Sequence, residues 1–264
     1  MNPVFIEAVG CCAPGLGGWT RAQPILRGEG PYVREELAAP QPQRLPPNER
    51  RRAPLAVRLA FGVAEDALGT NGLAPAALAT VFASSDGDTH IVHRISVALA
   101  EPPRAVSPTD FHNSVHNAAA GYWSIAAGAR LPSTSLSAGT ASFAAGLLEA
   151  AALAHVEALD CLLVAFDVRP PEPLLARWCI RESAAFALIL SPRRSAGSLA
   201  ALRIRTVPRV AETAMEGPAL EALRQDNPAA RALPLLRQLA QRASATVLLD
   251  GAGGCSLALD LETL

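Results

Sequence analysis

A chain of 264 residues, half of them hydrophobic, is long enough to bury a large core and too apolar to be disordered. Its formal net charge of −1 and its short main basic run, Arg50 to Arg52, give no footprint for nucleic acid. The five cysteines, Cys11, Cys12, Cys161, Cys179 and Cys255, form no C-x-x-C pair, which argues against a disulfide framework and against a zinc knuckle.

Val4 to Gly10 reads as an opening strand that ends at a glycine turn. Gly15 to Asn48, rich in Pro, Gly and Gln, reads as irregular surface structure with one short helix. Arg52 to Leu68 carries Leu55, Leu59, Val63 and Ala67 at helical spacing, with Gly69 and Gly72 as stop signals. Ala79 to Ser85 predicts a buried strand leading into a turn at Asp86, Gly87 and Asp88, and a helix follows over Ile91 to Leu99. Ser107-Pro108 marks a new start, and Phe111 to Ala127 is apolar at three-to-four spacing. A strand at Ser133 to Ala138, a helix at Ala144 to Leu159, and strands at Asp160 to Asp167 and Ala184 to Leu190 continue the alternation. From about Ser195 the pattern weakens. It leaves a strand at Leu199 to Val207, polar loops, a helix at Ala229 to Arg242, and strands at Thr246 to Leu249 and Ser256 to Leu261. Such alternation predicts a layered α/β sheet with helices on its faces. No apolar stretch runs uninterrupted for the roughly 18 to 20 residues of a membrane span, and no basic start precedes the first apolar run, so a cytoplasmic location is expected.

Three local features bear on chemistry. Ser137, two residues before Gly139, has the look of a nucleophile elbow, but Ser135 stands where the first glycine of G-x-S-x-G belongs, so a hydrolase or acyltransferase reading stays secondary. His112 and His116 are four apart, a spacing that puts two imidazoles on one helical face. No carboxylate or third histidine accompanies them, so polar surface residues are favoured over a metal pair and neither metal nor cofactor is expected. Thr140, at the turn into the helix after Ser133 to Ala138, suits a helix N-cap.

The stretch Ser107-Pro-Thr-Asp-Phe-His-Asn-Ser-Val-His-Asn117, followed by Ala120-Gly121, resembles the Ser-Pro helix start, Asn and Ala-Gly pair of the β-ketoacyl synthase family. The correspondence runs without a gap through Gly128, Pro132, the Thr140 turn, Ala150-Ala151 and Asp160. Arg181-Glu-Ser-Ala184 stands where that family has Gly-Glu-Gly-Ala, and Leu45 to Arg52 is similar to the Arg-rich helix start of its small members. The resemblance spans about Pro3 to Leu190 and lies closest to the small, chain-length-factor-like members of aryl polyene pathways. It implies a thiolase-like layered α/β/α fold with a complete first repeat and an abbreviated second one. Residues 1–195 would form the ketosynthase-like half, and 196–264 a reduced part completing the same domain.

The same resemblance implies a lost catalyst. The family's nucleophilic cysteine falls at Thr140, the glycine three residues on is Phe143, and the histidines and lysine of the second half have no counterpart: every histidine, at 90, 93, 112, 116 and 155, lies in the first. A threonine hydroxyl without an adjacent base stays protonated, so no catalytic residue is assigned. Phe143 reads equally as a plug in the acyl tunnel or as core packing. Asp86, Gly87 and Ile91 fall where the family gates tunnel depth. Asp110, Phe111 and Val115 would line the dimer boundary, and Ser133, Thr134, Ser135, Leu136 and Ser137 would pair with a partner's strand. The implied role is a non-catalytic subunit that pairs with a catalytic ketosynthase, acting on an acyl carrier protein through that complex in polyene or fatty-acid-type elongation. A homodimeric scaffold is the alternative. What covers the sheet face that a full second half would occupy stays open at this level.

Overall fold

A computed structural model describes residues 2–69, 72–178 and 180–264; Cys179 lies outside them. The chain opens with β1 (Val4–Ala13), hairpinned to the short β2 (Leu16–Gly17), then α1 (Trp19–Arg27) and a long extended strap. Next come α2 (Pro47–Arg52), α3 (Leu55–Leu68), β3 (Ala79–Ala83), α4 (Thr89–Ala100), α5 (Pro108–Asn113) and α6 (Ala118–Ala127). After them follow β4 (Ser133–Leu136), α7 (Ser142–Val156), β5 (Cys161–Asp167) and β6 (Ala184–Ser191). The remainder is β7 (Ala200–Pro208), α8 (Pro218–Asp226), α9 (Leu233–Gln241), β8 (Ala245–Asp250) and β9 (Cys255–Thr263).

The described strands make one mixed sheet in the order β4-β3-β5-β6-β1-β7-β9-β8, with β2 on β1. β3 runs parallel to β4 and β5, and every other pairing is antiparallel. β3, β5 and β6 are buried at every residue, the reason they read as unbroken apolar runs: helices cover both of their faces. α1, α7 and α9 pack on one face and α3 and α6 on the other. Gly10 lets α3 lie directly on β1, since a Cβ there would fall 2.2 Å from the Val63 carbonyl oxygen.

The last three strands extend the same sheet past β1. Ala200, Leu202 and Ile204 of β7 and Leu257, Leu259 and Leu261 of β9 join the common core, while the alternate residues face outward. Among these Arg203, Arg205, Asp260 and Glu262 are charged, paired as Arg205–Asp260 (2.7 Å) and Arg203–Glu262 (3.5 Å), while Ala201, Ser256 and Ala258 are buried. A charged, solvated face therefore stands where a missing layer would leave an apolar one.

The structure departs from the sequence reading in identifiable places. The helix expected over Arg52 to Leu68 starts three residues later, at Leu55: Arg52 closes the separate helix α2, and Ala53-Pro54 parts the two because proline disfavours helical backbone before it. The apolar run from Phe111 to Ala127 breaks between Asn113 and Ala118. His112 and His116 consequently share no helical face. The polar stretch after β7 holds α8, whose buried residues are only Leu220, Leu223 and Arg224, too narrow a stripe to stand out in sequence. Residues 139–156 do have the length and apolarity of a membrane span, yet half of that stretch is buried in the fold as the core helix α7.

Candidate functional site

Parallel strands β4, β3 and β5 end side by side, and the residues at their carboxyl ends form one hydrogen-bonded cluster. Asp167, the last residue of β5, is 1% exposed. Its Oδ1 accepts from the Ser84 hydroxyl (3.0 Å) and the Ser85 amide (2.7 Å), and its Oδ2 has no partner among the described residues. Burial pushes this carboxyl up to about 7, against the opposing pull of those hydrogen bonds. The Ser84 hydroxyl accepts from the Gly87 amide (2.9 Å), and its carbonyl meets the His116 ring nitrogen (2.9 Å). From β4 the Ser137 hydroxyl donates to the Ser85 carbonyl (2.7 Å).

The β3–α4 loop is thus fixed from three sides. Ser85 Oγ donates to Asp86 (2.6 Å), and Gly87 is buried at φ +65°, a backbone that suits glycine. Asp88 caps α4 by accepting from the amides of His90 (3.0 Å) and Ile91 (3.2 Å). Ile91 is fully buried, whereas the rest of α4 projects from the body: beyond Thr89 and Ile91 none of its residues is buried, and Val92, Val97 and Leu99 are exposed. α4 leans on α5 through Arg94–Asp110 (2.7 Å).

Thr140 lies in a 3₁₀ turn over Gly139–Ala141, and it is exposed. It does not cap the following helix. That helix starts at Ser142 with Ala141 as N-cap and no side-chain cap. The hydroxyl that closes the turn belongs to Ser142, which accepts from the Ala138 amide (3.0 Å) and donates to the Gly139 carbonyl (2.7 Å). Among the described residues no basic side chain hydrogen-bonds to Thr140 or Ser137. Phe143, three residues on, is wholly buried in the main core.

At the far edge of the sheet β4 pairs, among the described residues, with β3 alone. The carbonyls of Pro132 and Leu136 accept from β3, so by strand alternation the backbone groups of Ser133 and Ser135 point outward, away from any described partner. Ser133 and Ser137 are exposed, and Thr134, Ser135 and Leu136 half-buried. α6 and α7 flank this edge on opposite faces, and both are largely apolar, with Glu149 and His155 the exceptions on α7. Ile125 is 85% exposed, and Leu148 and Val156 are exposed too. Phe111 and Val115 are exposed as well, Val115 and Ile125 lining a groove of about 600 Å³ beside residues 44–49, while Asp110 is half-buried under Arg94.

The geometry therefore joins Asp86, Gly87, Ile91 and Ser137 in one cluster and keeps Phe143 apart in the core. Ser84, Ser85 and Asp167 are the cluster members the sequence reading passed over. The legible signal was an aspartate closing the otherwise apolar strand Cys161–Asp167.

A family model, that of the beta-ketoacyl synthase N-terminal domain, matches residues 26–252. No curated protein matches the chain. Among solved structures it is similar to a ketosynthase in complex with its chain length factor from Xenorhabdus doucetiae, at 25% identity, 98% coverage of this chain, 99% of that chain and a TM-score of 0.73. It is also similar to the ishigamide ketosynthase/chain length factor, at 16% identity, full coverage of both chains and a TM-score of 0.75. A third likeness is to a type II polyketide acyl-carrier protein in complex with its ketosynthase, at 12% identity, with 100% of this chain and 99% of that one covered and a TM-score of 0.74. At 16% and 12% identity, the likeness carries the fold alone.

Proposed function

The chain belongs to the β-ketoacyl synthase family, and we propose that within it this is a non-catalytic, chain-length-factor subunit. On this reading it pairs with a catalytic ketosynthase in the cytoplasm and shapes that partner's acyl tunnel during polyene or fatty-acid-type elongation on an acyl carrier protein. One juxtaposition carries the reading: an edge strand with one open side between two largely apolar helices, next to the turn that holds the exposed Thr140.

Decarboxylating condensation needs a thiolate, which a helix N-terminus stabilises. A threonine hydroxyl has no comparable acidity, and among the described residues neither Thr140 nor Ser137 is hydrogen-bonded to a base that would activate it. Largely apolar helices are stable where most of their surface is covered. α6 and α7 each cover the sheet with one side only, so a second chain supplies the rest, as in a large obligate interface. Pairing of β4 with a partner strand would satisfy the outward groups of Ser133 and Ser135. The projecting α4–α5 arm would reach into that partner, with Asp86, Gly87 and Ile91 at its base and Phe143 in the core beneath. Two of the structural relatives are themselves pairings of a ketosynthase with a chain length factor.

Co-expression with a catalytic ketosynthase from the same organism, followed by size-exclusion and mass analysis, tests the pairing. A one-to-one complex is expected, with this chain poorly soluble alone; a homodimer indifferent to every ketosynthase would favour the scaffold reading. The tunnel role is tested by Phe111→Ala and Val115→Trp, both exposed positions, in the purified complex. Product length should change, and an unchanged length in both would refute tunnel shaping.

A further inference from the structure

The cluster at the carboxyl ends of β3, β4 and β5 contains a group that stability alone does not explain. Asp167 is buried with one carboxylate oxygen unpartnered among the described residues, an arrangement that costs free energy relative to an apolar residue of similar shape. What this carboxylate does is hold a loop. Through the Ser84 hydroxyl it reaches the Gly87 amide, and directly it binds the Ser85 amide. Asp88, next in the chain, caps α4, and on the other side of the helix start the His90 ring meets the carbonyl of Arg169, two residues beyond Asp167 (2.9 Å). The first turn of α4 is therefore tied twice to the end of β5.

We propose that Asp167 is a positioning residue that sets the depth of the acyl channel by fixing the base of α4. This rests on the tunnel-shaping reading above. α4 has 12 residues and buries only Thr89 and Ile91, both in its first turn, so it behaves as a lever anchored at one end. At about 1.5 Å per residue its far end lies roughly 18 Å from the anchor, and a tilt of about 10° there displaces it by about 3 Å. Small changes at the carboxylate are thereby enlarged at Val97 and Leu99, on the part of the arm that would meet the partner.

The test uses the co-purified complex with its carrier protein, and reads product length by mass spectrometry. Asp167→Ala and Ser84→Ala should each shift the product distribution by one or more elongation cycles, at unchanged yield of the complex. Asp167→Asn keeps the accepting oxygen and should restore the parental distribution, a rescue that a loss of stability would not produce. If Asp167→Ala fails to fold, Ser84→Ala decides, because it removes only the hydroxyl between Asp167 and Gly87. Parental product length from Ser84→Ala or Asp167→Ala in an intact complex overturns the proposal. Where Phe111→Ala and Val115→Trp do shift length, that failure is confined to Asp167; where they do not, or where no complex forms, the tunnel reading falls and the proposal with it.

Discussion

The two ends of the sheet solve the edge-strand problem in opposite ways. At the β8 end, the segment before α8 closes the edge: the Thr213 amide donates to the Leu248 carbonyl (2.9 Å), the Leu248 amide to the Thr213 hydroxyl (2.9 Å), and the Asp250 amide to Glu212 (3.2 Å). Burial pushes the Glu212 carboxyl up, but its partners Arg224 and Arg231 outweigh that and hold it below the usual range. The outer face beside this edge carries paired charges. At the β4 end no described residue closes the strand, and the flanking helices offer Ile125, Leu148 and Val156 to the surface. One edge is closed within the chain; the other, on the proposed reading, is closed by the partner. A chain that could only manage its exposed strands poorly would not treat its two edges so differently.

The sharpest way to break this contrast is at Ser135. Ser135→Pro removes an outward-pointing amide while leaving the bonds to β3 in place, and should weaken binding to the ketosynthase partner by 100-fold or more, an order-of-magnitude expectation from losing central ladder bonds at an obligate interface. Titration by surface plasmon resonance or by co-purification yield reads it, and unchanged binding would mean that β4 is not the pairing strand. Next comes Ile125→Glu. It should weaken the complex by about 10-fold or more with little change in the stability of the isolated chain, because the side chain is already in water there.

Asp167, near the seam between these regions, gives a pH signature. Asn227 of the C-terminal part donates to the Asp167 carbonyl (3.1 Å) and the Glu182 carbonyl (2.7 Å), so the cluster bridges both. With its folded-state pKa raised from 3.8 to about 7, the carboxyl binds its proton more tightly in the folded chain. Its stabilising contribution is therefore fully present below the unfolded value and is lost as pH rises through about 7. Relative to the parent, Asp167→Asn should gain stability between about pH 4 and 7 and hold that gain above it, on the order of a few kcal/mol, read from urea midpoints at a series of pH values. A parallel pair of pH profiles would exclude the titration. The smallest effect is expected on the charged face, where Arg205→Gln should leave both the partner affinity and the melting temperature essentially unchanged. A loss of binding there would show that the face is not finished for solvent.

Much of the architecture was legible because burial writes itself into composition. Strands covered on both faces, β5 and β6 above all, are unbroken apolar runs, and the turn signals at Gly87 and Ser107-Pro108 fall where the loop and the α5 cap stand. Other features were hidden or misread. The break between α5 and α6 is carried by Asn113 and Ser114, whose short polar side chains donate to the carbonyls of Thr109 and Phe111, and which the apolar spacing around them masked. Thr140 has the chemistry of a cap, but the 3₁₀ turn places it before the first helical residue with its side chain in solvent.

The sequence by itself determined the order and kind of most elements and the confinement of every histidine to residues before 156. These follow from local propensity, periodicity and residue chemistry. Only the tertiary structure decided that β7, β9 and β8 continue the first sheet, that β4 is left as an open edge, and that Asp167 meets Ser84 across 83 positions of chain. Strand neighbours and buried polar contacts depend on which distant segments pack together, and long-range packing leaves no period in the sequence to read.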